Sequence, residues 1–113
     1  FLYINMKKKY YISIMMINKY IVENNNKETI SKFMSDNELI LYKDIIKAIE
    51  YCQDRKIDSM EAFIIEPSTD GYFVYREKFE EYLKRGIQIF EKYEEYEMCA
   101  KSISIQNKIK KGV

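Results

Sequence analysis

The side chains that could carry out chemistry in this chain are carboxylates and thiols, because the sequence contains no histidine. Histidine is the usual general base, nucleophile activator and metal ligand near neutral pH. The candidate carboxylate pairs are Asp54 with Asp58, and Glu61 with Glu66. No spacing requires either pair to face one cleft, and the three glycines form no phosphate-binding loop. We therefore expect a protein that is not an enzyme, with no catalytic residues, no cofactor and no metal site.

The two cysteines, Cys52 and Cys99, lie in segments that we expect to be helical and lack the spacing of a metal-binding pair. The favoured interpretation is two small buried thiols in a reducing compartment, and a disulfide between the two helices is the alternative. Neither thiol has a histidine partner within this chain, which argues against a cysteine nucleophile. We expect a cytoplasmic protein, in a bacterium or in the host cell of a mobile element.

An acidic and aromatic stretch lies late in the last predicted helix, where Glu91, Glu94, Glu95 and Glu97 are interrupted only by a lysine and two tyrosines. Such a ridge suits a basic groove on another protein, including a groove that normally holds nucleic acid. A solvated helix face is the alternative interpretation. Tyrosine beside charge is typical of protein interfaces. The predicted contacts with a protein partner are Glu91, Tyr93, Glu94, Glu95 and Tyr96.

A basic and aromatic stretch lies near the start of the chain, where three lysines precede two tyrosines. Tyrosines stacked on bases, with lysines on phosphates, would suit single-stranded nucleic acid. Against this, arginine is scarce, no RNP-like motif is present, and 19 basic against 18 acidic residues leave a net charge of only +1. The alternative nucleic-acid contacts are Lys7, Lys8, Lys9, Tyr10 and Tyr11, with the tail lysines Lys108, Lys110 and Lys111.

The elements that must position these residues begin with a strand over residues 10–17, which is apolar on nearly both sides. Asn18 and Lys19 can turn the chain, residues 20–23 can pair back, and the asparagines at 24–26 tolerate a tight turn. Residues 28–34 fit a helical turn or a strand, and we favour the strand. A turn and a short apolar run at 39–42 follow. The first part of the chain therefore predicts a meander.

The second part of the chain predicts two helices and a hairpin. The first helix begins near Asp44, whose carboxylate can cap it, and continues to about Lys56. Residues 61–66 form a strand, residues 68–71 a turn and residues 72–75 the returning strand. A long helix then covers about 77–102, in which Gly86 indicates a kink or a close helix contact. The buried stripe of the first helix is predicted to comprise Ile45, Ile46, Ala48, Ile49 and Cys52.

Together these elements predict an α+β fold: a small, mostly antiparallel sheet of four to five short strands packed against two helices, the C-terminal one long. The predicted order is β-β-(β)-α-β-β-α. One domain is expected over residues 1–113, since this length suits a single modest core. Residues 1–9 and 106–113 are expected to be frayed or foreign to the natural chain. No apolar stretch has membrane-spanning length, so no membrane partner is expected.

The predicted function is that of a small non-enzymatic module or inhibitor that binds another macromolecule, in the first place a protein. The excess of isoleucine, lysine, asparagine, tyrosine and phenylalanine indicates an AT-rich gene, as in low-GC bacteria, their phages and plasmids, or AT-rich parasites. By analogy of size and composition, the protein could be a phage or mobile-element inhibitor of host defence. A nucleic-acid-binding module is the alternative, and a small-ligand binder would need a deep pocket lined by tyrosines. Self-association through the long helix leaves a homodimer and a monomer equally open.

Overall fold

The computed structural model describes residues 17–67 and 71–112, which form a three-stranded sheet and four α-helices. A short 3-10 turn, Arg76–Lys78, leads from the last strand into the third helix. The elements in chain order are β1 (Asn18–Ile21), α1 (Lys27–Asp36), α2 (Glu38–Arg55), β2 (Ser59–Glu66), β3 (Gly71–Tyr75), α3 (Phe79–Lys92) and α4 (Tyr96–Lys110).

The sheet is mixed, with strand order β1-β2-β3. β1 runs parallel to β2, from Asn18 opposite Phe63 to Ile21 opposite Glu66. Parallel neighbours require a long crossover connection, and α1 and α2 provide it here. β2 and β3 form an antiparallel hairpin with an irregularity after Glu61. The hairpin prediction is therefore confirmed, although its turn lies outside the described residues.

The predicted sheet of four to five mostly antiparallel strands is wrong. The described residues contain three strands, and one of the two pairings is parallel, while the broader α+β class fits. Asn18 and Lys19 lie in β1 and not in a turn. The predicted strand over residues 10–17 falls outside the described residues except for Ile17, which is buried.

The predicted strand over residues 28–34 is instead part of a helix, α1. The side chain of Asn26 accepts a hydrogen bond from the Thr29 backbone N–H at 2.8 Å, so this asparagine caps a helix instead of bending a tight turn. Ile30 and Phe33 then fall on one helical face and pack against the core. The local pattern fits both states, and the cap together with this packing selects the helix.

α2 begins at Glu38, earlier than the predicted start, because the apolar run at 39–42 forms its first turns. Asp44 is therefore inside the helix and does not cap it. Its buried carboxylate accepts hydrogen bonds from the Asn18 side-chain amide at 2.8 Å and from the Tyr20 hydroxyl at 2.5 Å, which ties β1 to α2. The predicted buried stripe is confirmed and comprises Ile45, Ile46, Ala48, Ile49 and Cys52.

The predicted single helix over residues 77–102 is wrong, because α3 and α4 share this part of the chain. Glu94 has a left-handed φ of 58°, its N–H donates to the Glu91 carbonyl at 3.1 Å, and the Glu95 N–H donates to the Phe90 carbonyl at 2.8 Å. This pair of hydrogen bonds is a Schellman motif, which ends a helix. The chain therefore folds back, and α4 packs against α3.

The core lies between the sheet and the helices, with α2 packed on β2 and on α3. Gly86 permits the close approach of α3 to α2, since a Cβ at this position would lie 3.2 Å from Ile46 Cδ1. The predicted close helix contact at Gly86 is confirmed. The largest fully buried side chains are Phe63, Phe79, Phe90, Ile45, Ile46, Ile49, Leu83 and Ile89.

Candidate functional site

The five predicted protein contacts do not form a helical ridge, because they surround the turn between α3 and α4. Glu91 lies in the last turn of α3, and Tyr96 is the first residue of α4. Tyr93, Glu94 and Glu95 form the turn itself. The change of chain direction at this point separates side chains that a continuous helix would have aligned.

Two of the five predicted contact residues form side-chain hydrogen bonds within the chain. The Lys43 ammonium of α2 donates to Glu95 Oε1 at 2.9 Å, and the Tyr93 hydroxyl donates to Glu38 Oε1 at 3.4 Å. By contrast, the Tyr96 side chain is 66% exposed. Glu91 and Glu94 are also exposed and form no ion pair within the described residues. The Tyr93 hydroxyl is therefore linked to α2, whereas Tyr96 lies mostly in solvent.

Tyr93 lies on a surface that carries four tyrosines and to which it is linked through Glu38; we call this surface the tyrosine face. α2 contributes a glutamate and a tyrosine one turn apart, β3 contributes one tyrosine, and α3 contributes a tyrosine, an arginine and a lysine. Residues three or four apart on a helix are neighbours on its surface. The tyrosine face comprises Glu38, Tyr42, Tyr72, Tyr82, Arg85, Lys92 and Tyr93.

Glu38 joins the charged side chains of the tyrosine face. Its Oε1 accepts from Lys92 Nζ at 2.9 Å, and its Oε2 lies 3.7 Å from Arg85 Nη2. The Glu38 side chain is only 18% exposed, whereas Lys92 and Arg85 are 64% and 55% exposed. The hydrogen bond from Lys92 is the main cause that lowers the pKa of Glu38. This part of the face therefore presents two cations that cover one anion.

Three of the four tyrosines of this face, Tyr42, Tyr72 and Tyr82, pack against the core. Tyr72 stacks on the fully buried Phe63, with ring centroids 4.8 Å apart and an interplanar angle of 7°. Burial raises the pKa of Tyr82 to about 12, and the neighbouring Tyr72 and Tyr42 hydroxyls add to the shift. Burial also raises the pKa of Tyr42. These phenols stay protonated at neutral pH, so they offer hydrogen-bond donors and apolar ring surface.

Of the members of the tyrosine face, only Tyr93 is among the five predicted protein contacts. The spacing of Glu38 and Tyr42, and that of Tyr82 and Arg85, could have indicated two helical surface pairs. Nothing local indicates that α2 and α3 bring these pairs together, because that depends on the packing of the helices around Gly86. The sequence could therefore indicate the missed residues as two separate helical pairs, but not as members of one surface.

The predicted nucleic-acid contacts at positions 7–11 lie outside the described residues. Lys108, Lys110 and Lys111 are exposed at the end of α4. They lie next to an open cleft of about 390 Å³. Its lining residues are Gln53, Lys56, Asp58, Arg76, Ile109 and Gly112.

Arg76 in this cleft links the end of β3 to the loop before β2. Its Nε donates to Asp58 Oδ1 at 2.9 Å, and its Nη2 donates to the Ile57 carbonyl at 2.7 Å. Its guanidinium also lies 5.1 Å from the Phe79 ring centroid. Arg76 therefore has a structural role, and Lys56 is the exposed cation of the cleft.

The candidate carboxylate pairs are not joined by the described contacts. Asp58 is held by Arg76, and Asp54 is exposed. Glu61 lies over Gly71, where a Cβ would collide with its carboxylate, and burial raises the pKa of Glu61. Glu61 also lines, with Asp44, a cavity of about 20 Å³, which is large enough for a water molecule.

Cys52 and Cys99 are free and buried, which confirms the interpretation as buried thiols over a disulfide. Burial raises the pKa of the Cys52 thiol to about 11 and also raises the pKa of Cys99. Because the thiolate is the reactive form of cysteine, neither residue is activated as a nucleophile in this structure.

The described part of the chain also offers no group of three or more cysteine, aspartate and glutamate side chains that could hold a metal ion. None of its helices combines the length and the apolarity that crossing a membrane requires. No protein-family model, curated protein or solved structure matches this chain.

Proposed function

We propose that the protein is a small protein-binding module and that the tyrosine face is its contact surface. The observation that supports this best is that the ion pair of Glu38 and Arg85 links Tyr93 to a cluster of three tyrosines from separate elements. Tyrosine and arginine are among the residue types that most often dominate the energy of protein interfaces. A face that combines them is therefore well suited to recognition of another protein.

The arrangement of the tyrosine face also favours binding because its side chains are already held in place. Tyr72 rests on Phe63, and Lys92 is fixed on Glu38, with its ammonium 5.1 Å from the Tyr93 ring centroid. Ordering a flexible side chain at an interface costs about 0.5–1.5 kcal/mol. A partner that docks on this face avoids most of that cost.

The charges around the face suggest the chemistry of the partner. Arg85 and Lys92 lie within the face, whereas Glu91 and Glu94 are exposed on the adjoining turn. We propose a partner that places carboxylates or carbonyls over the two cations and basic side chains over the turn. This keeps the predicted role of Glu91, Glu94 and Tyr93, now as the margin of a larger surface.

The proposed role is non-enzymatic, in a reducing cytoplasm. The raised pKa values of both thiols and of the face's phenols support binding over catalysis. Free buried thiols are also what a reducing compartment would leave. An inhibitor of a host defence complex, encoded by a phage or mobile element, is the form of this proposal that composition favours.

The test compares two exposed tyrosines. Tyr93 and Tyr75 are 44% and 45% exposed, but only Tyr93 lies on the tyrosine face. Partners are captured on the immobilised protein from a nuclease-treated lysate of a low-GC bacterium, and one stoichiometric protein is purified. We expect Tyr93→Ala, and separately Arg85→Glu, to raise its Kd by roughly tenfold or more, because hot-spot truncations have effects of this size. The control Tyr75→Ala should leave the Kd unchanged within about twofold.

The proposal fails if Tyr93→Ala and Tyr75→Ala alter the Kd equally, or if no protein remains bound after nuclease treatment. Circular dichroism of each variant shows whether the fold is kept. Charge reversal of Glu91, Glu94 and Glu95 together provides a separate measurement of the turn. If it leaves the Kd unchanged, the turn is not part of the contact surface.

A nucleic-acid-binding module is the second candidate, and the position of the tail lysines favours it. Lys108, Lys110 and Lys111 are exposed at one end of α4, close to Lys56 in the open cleft. This candidate predicts binding to a single-stranded oligonucleotide with an affinity that falls steeply as salt rises. Substitution of the three tail lysines by glutamine should reduce that slope. Absent or salt-insensitive binding removes the candidate.

A further inference from the structure

Within the described residues, the outer side of α4 carries a largely apolar stripe that stays exposed. Tyr96, Ala100, Ile103 and Asn107 recur at the spacing of one helix face and are all exposed, Tyr96 by 66% and Ile103 by 46%. The opposite side of the same helix is buried and carries Cys99, Ser102 and Ile105.

The charges beside this stripe are divided between its two ends. The start of α4 is acidic, with Glu94 and Glu97, and its end is basic, with Lys108 and Lys111. Glu97 and Lys108 lie on the same flank of the stripe, about 16 Å apart along the helix axis. A second copy of this helix placed antiparallel brings each acidic end against a basic end. A parallel copy would bring like charges together.

We propose that α4 pairs antiparallel with α4 of a second copy of this chain. The two-fold axis lies near the middle of the stripe, so Ala100 faces Ile103 of the second copy and Tyr96 faces its Asn107. The small alanine accepts the larger isoleucine, which lets the helices approach closely. Glu97 then lies within side-chain reach of Lys108 of the second copy, and this pair occurs twice.

Lys101 does not oppose this arrangement, although it lies near the proposed axis. Its ammonium is 3.2 Å from Glu50 Oε1 of α2 in the same chain, so its charge is balanced there. The proposal does not depend on the tyrosine face. It concerns a different surface, and either proposal can fail while the other holds.

The test measures the oligomeric state of the full chain by sedimentation velocity from micromolar to near-millimolar concentration. The wild type should show a concentration-dependent dimer. Ile103→Glu should remain a monomer over this range, because it places two charges in the apolar stripe. Since Ile103 is exposed, circular dichroism should show an unchanged fold.

Charge exchange tests the direction of the helices. Glu97→Lys, or Lys108→Glu, turns two attractive pairs into repulsive ones and should raise the dimer Kd by roughly tenfold. The double variant Glu97→Lys with Lys108→Glu restores both pairs and should return the Kd to within about threefold of the wild type. A mixture of the two single variants should form a heterodimer more tightly than either forms a homodimer.

Three results overturn the proposal. The first is a wild type that stays monomeric throughout the range. The second is a dimer that Ile103→Glu does not disrupt, because the contact then lies elsewhere. The third is a double variant that dimerises no better than the single variants. If the helices pair antiparallel through these charges, the double variant must regain the affinity that the single variants lose.

Discussion

Tyr93 and Tyr96 are separated by two residues, yet they lie on surfaces of different construction. The tyrosine face is built from α2, β3 and α3, and its side chains rest on buried residues or on one another. The outer stripe of α4 belongs to one helix, and among the described residues its side chains are exposed, Tyr96 by 66% and Ile103 by 46%. The first surface should therefore be lost when the core is weakened, whereas the second should be altered only by changing its own residues.

Phe63→Ala should have the largest effect and tests the dependence of the tyrosine face on the core. Phe63 is fully buried and supports Tyr72, so its truncation should lower the free energy of unfolding by about 3–5 kcal/mol. Phe73→Ala is the matched control, because Phe73 is 42% exposed on the same hairpin. It should cost less than about 1 kcal/mol. Equal losses of unfolding free energy for Phe63→Ala and Phe73→Ala, measured by urea unfolding, would contradict the dependence of the tyrosine face on Phe63.

Alkaline pH should weaken the tyrosine face, because burial keeps one of its tyrosines protonated well above the ordinary range. The pKa of Tyr82 in the folded protein, about 12, is above its ordinary value of 10. The stabilising contribution is therefore fully present below pH 10 and is lost as pH rises towards 12. Because the ring is partly solvated, we expect a loss of only about 1 kcal/mol. The measurement is the difference in unfolding free energy between the wild type and Tyr82→Phe, taken at pH 9 and again at pH 11.5. The lysines are the same in both proteins, so their contribution cancels in this difference. A constant difference between the two proteins would contradict this prediction.

Substitutions of Glu94 test whether the turn between α3 and α4 separates the two surfaces. Its left-handed φ disfavours any residue with a Cβ, so Glu94→Gly should be more stable than Glu94→Ala by about 1 kcal/mol. Glu97, in the first turn of α4, is the control. There the order should reverse, because glycine is the poorer helix former by up to about 1 kcal/mol. If the alanine variant is the more stable one at both positions, in thermal or urea unfolding, then α3 and α4 are continuous.

Ile103→Ser should have the smallest effect on stability. Its side chain is exposed on the outer stripe, so the free energy of unfolding of the dilute protein should change by less than about 0.5 kcal/mol. Tyr82→Ala, a truncation on the tyrosine face, should cost more because that ring packs against the core. A loss of stability from Ile103→Ser as large as that from Tyr82→Ala would remove the distinction between the two surfaces.

The parts of the fold that could be predicted are those whose signal is local. The hairpin of β2 and β3 and the buried stripe of α2 follow from alternation and helical period in adjacent residues. The α1 segment was misassigned because its short apolar pattern fits two states, and the Asn26 cap together with packing decides between them. The end of α3 was missed because Glu94 occupies a position where glycine is the usual signal.

The candidate site was harder to predict than the fold. Its protein contacts were derived from one stretch of sequence, on the assumption of a continuous helix. In the structure, Lys92 and Tyr93 meet Glu38, which is distant in the sequence. That contact depends on how closely α2 and α3 approach, which the glycine at position 86 permits. No local pattern carries this information.

The parallel pairing of β1 with β2 has a consequence for the order in which the protein assembles. Asn18 and Tyr20 must find partners far along the chain, on α2 and β2, whereas β3 pairs with the strand immediately before it. Closing a long loop costs more entropy than forming a hairpin, so β1 should dock late. During synthesis, β1 leaves the ribosome before β2 has been made. The earliest of the described strands must therefore remain unpaired until most of the molecule exists, and its amides should be among the first to exchange with solvent.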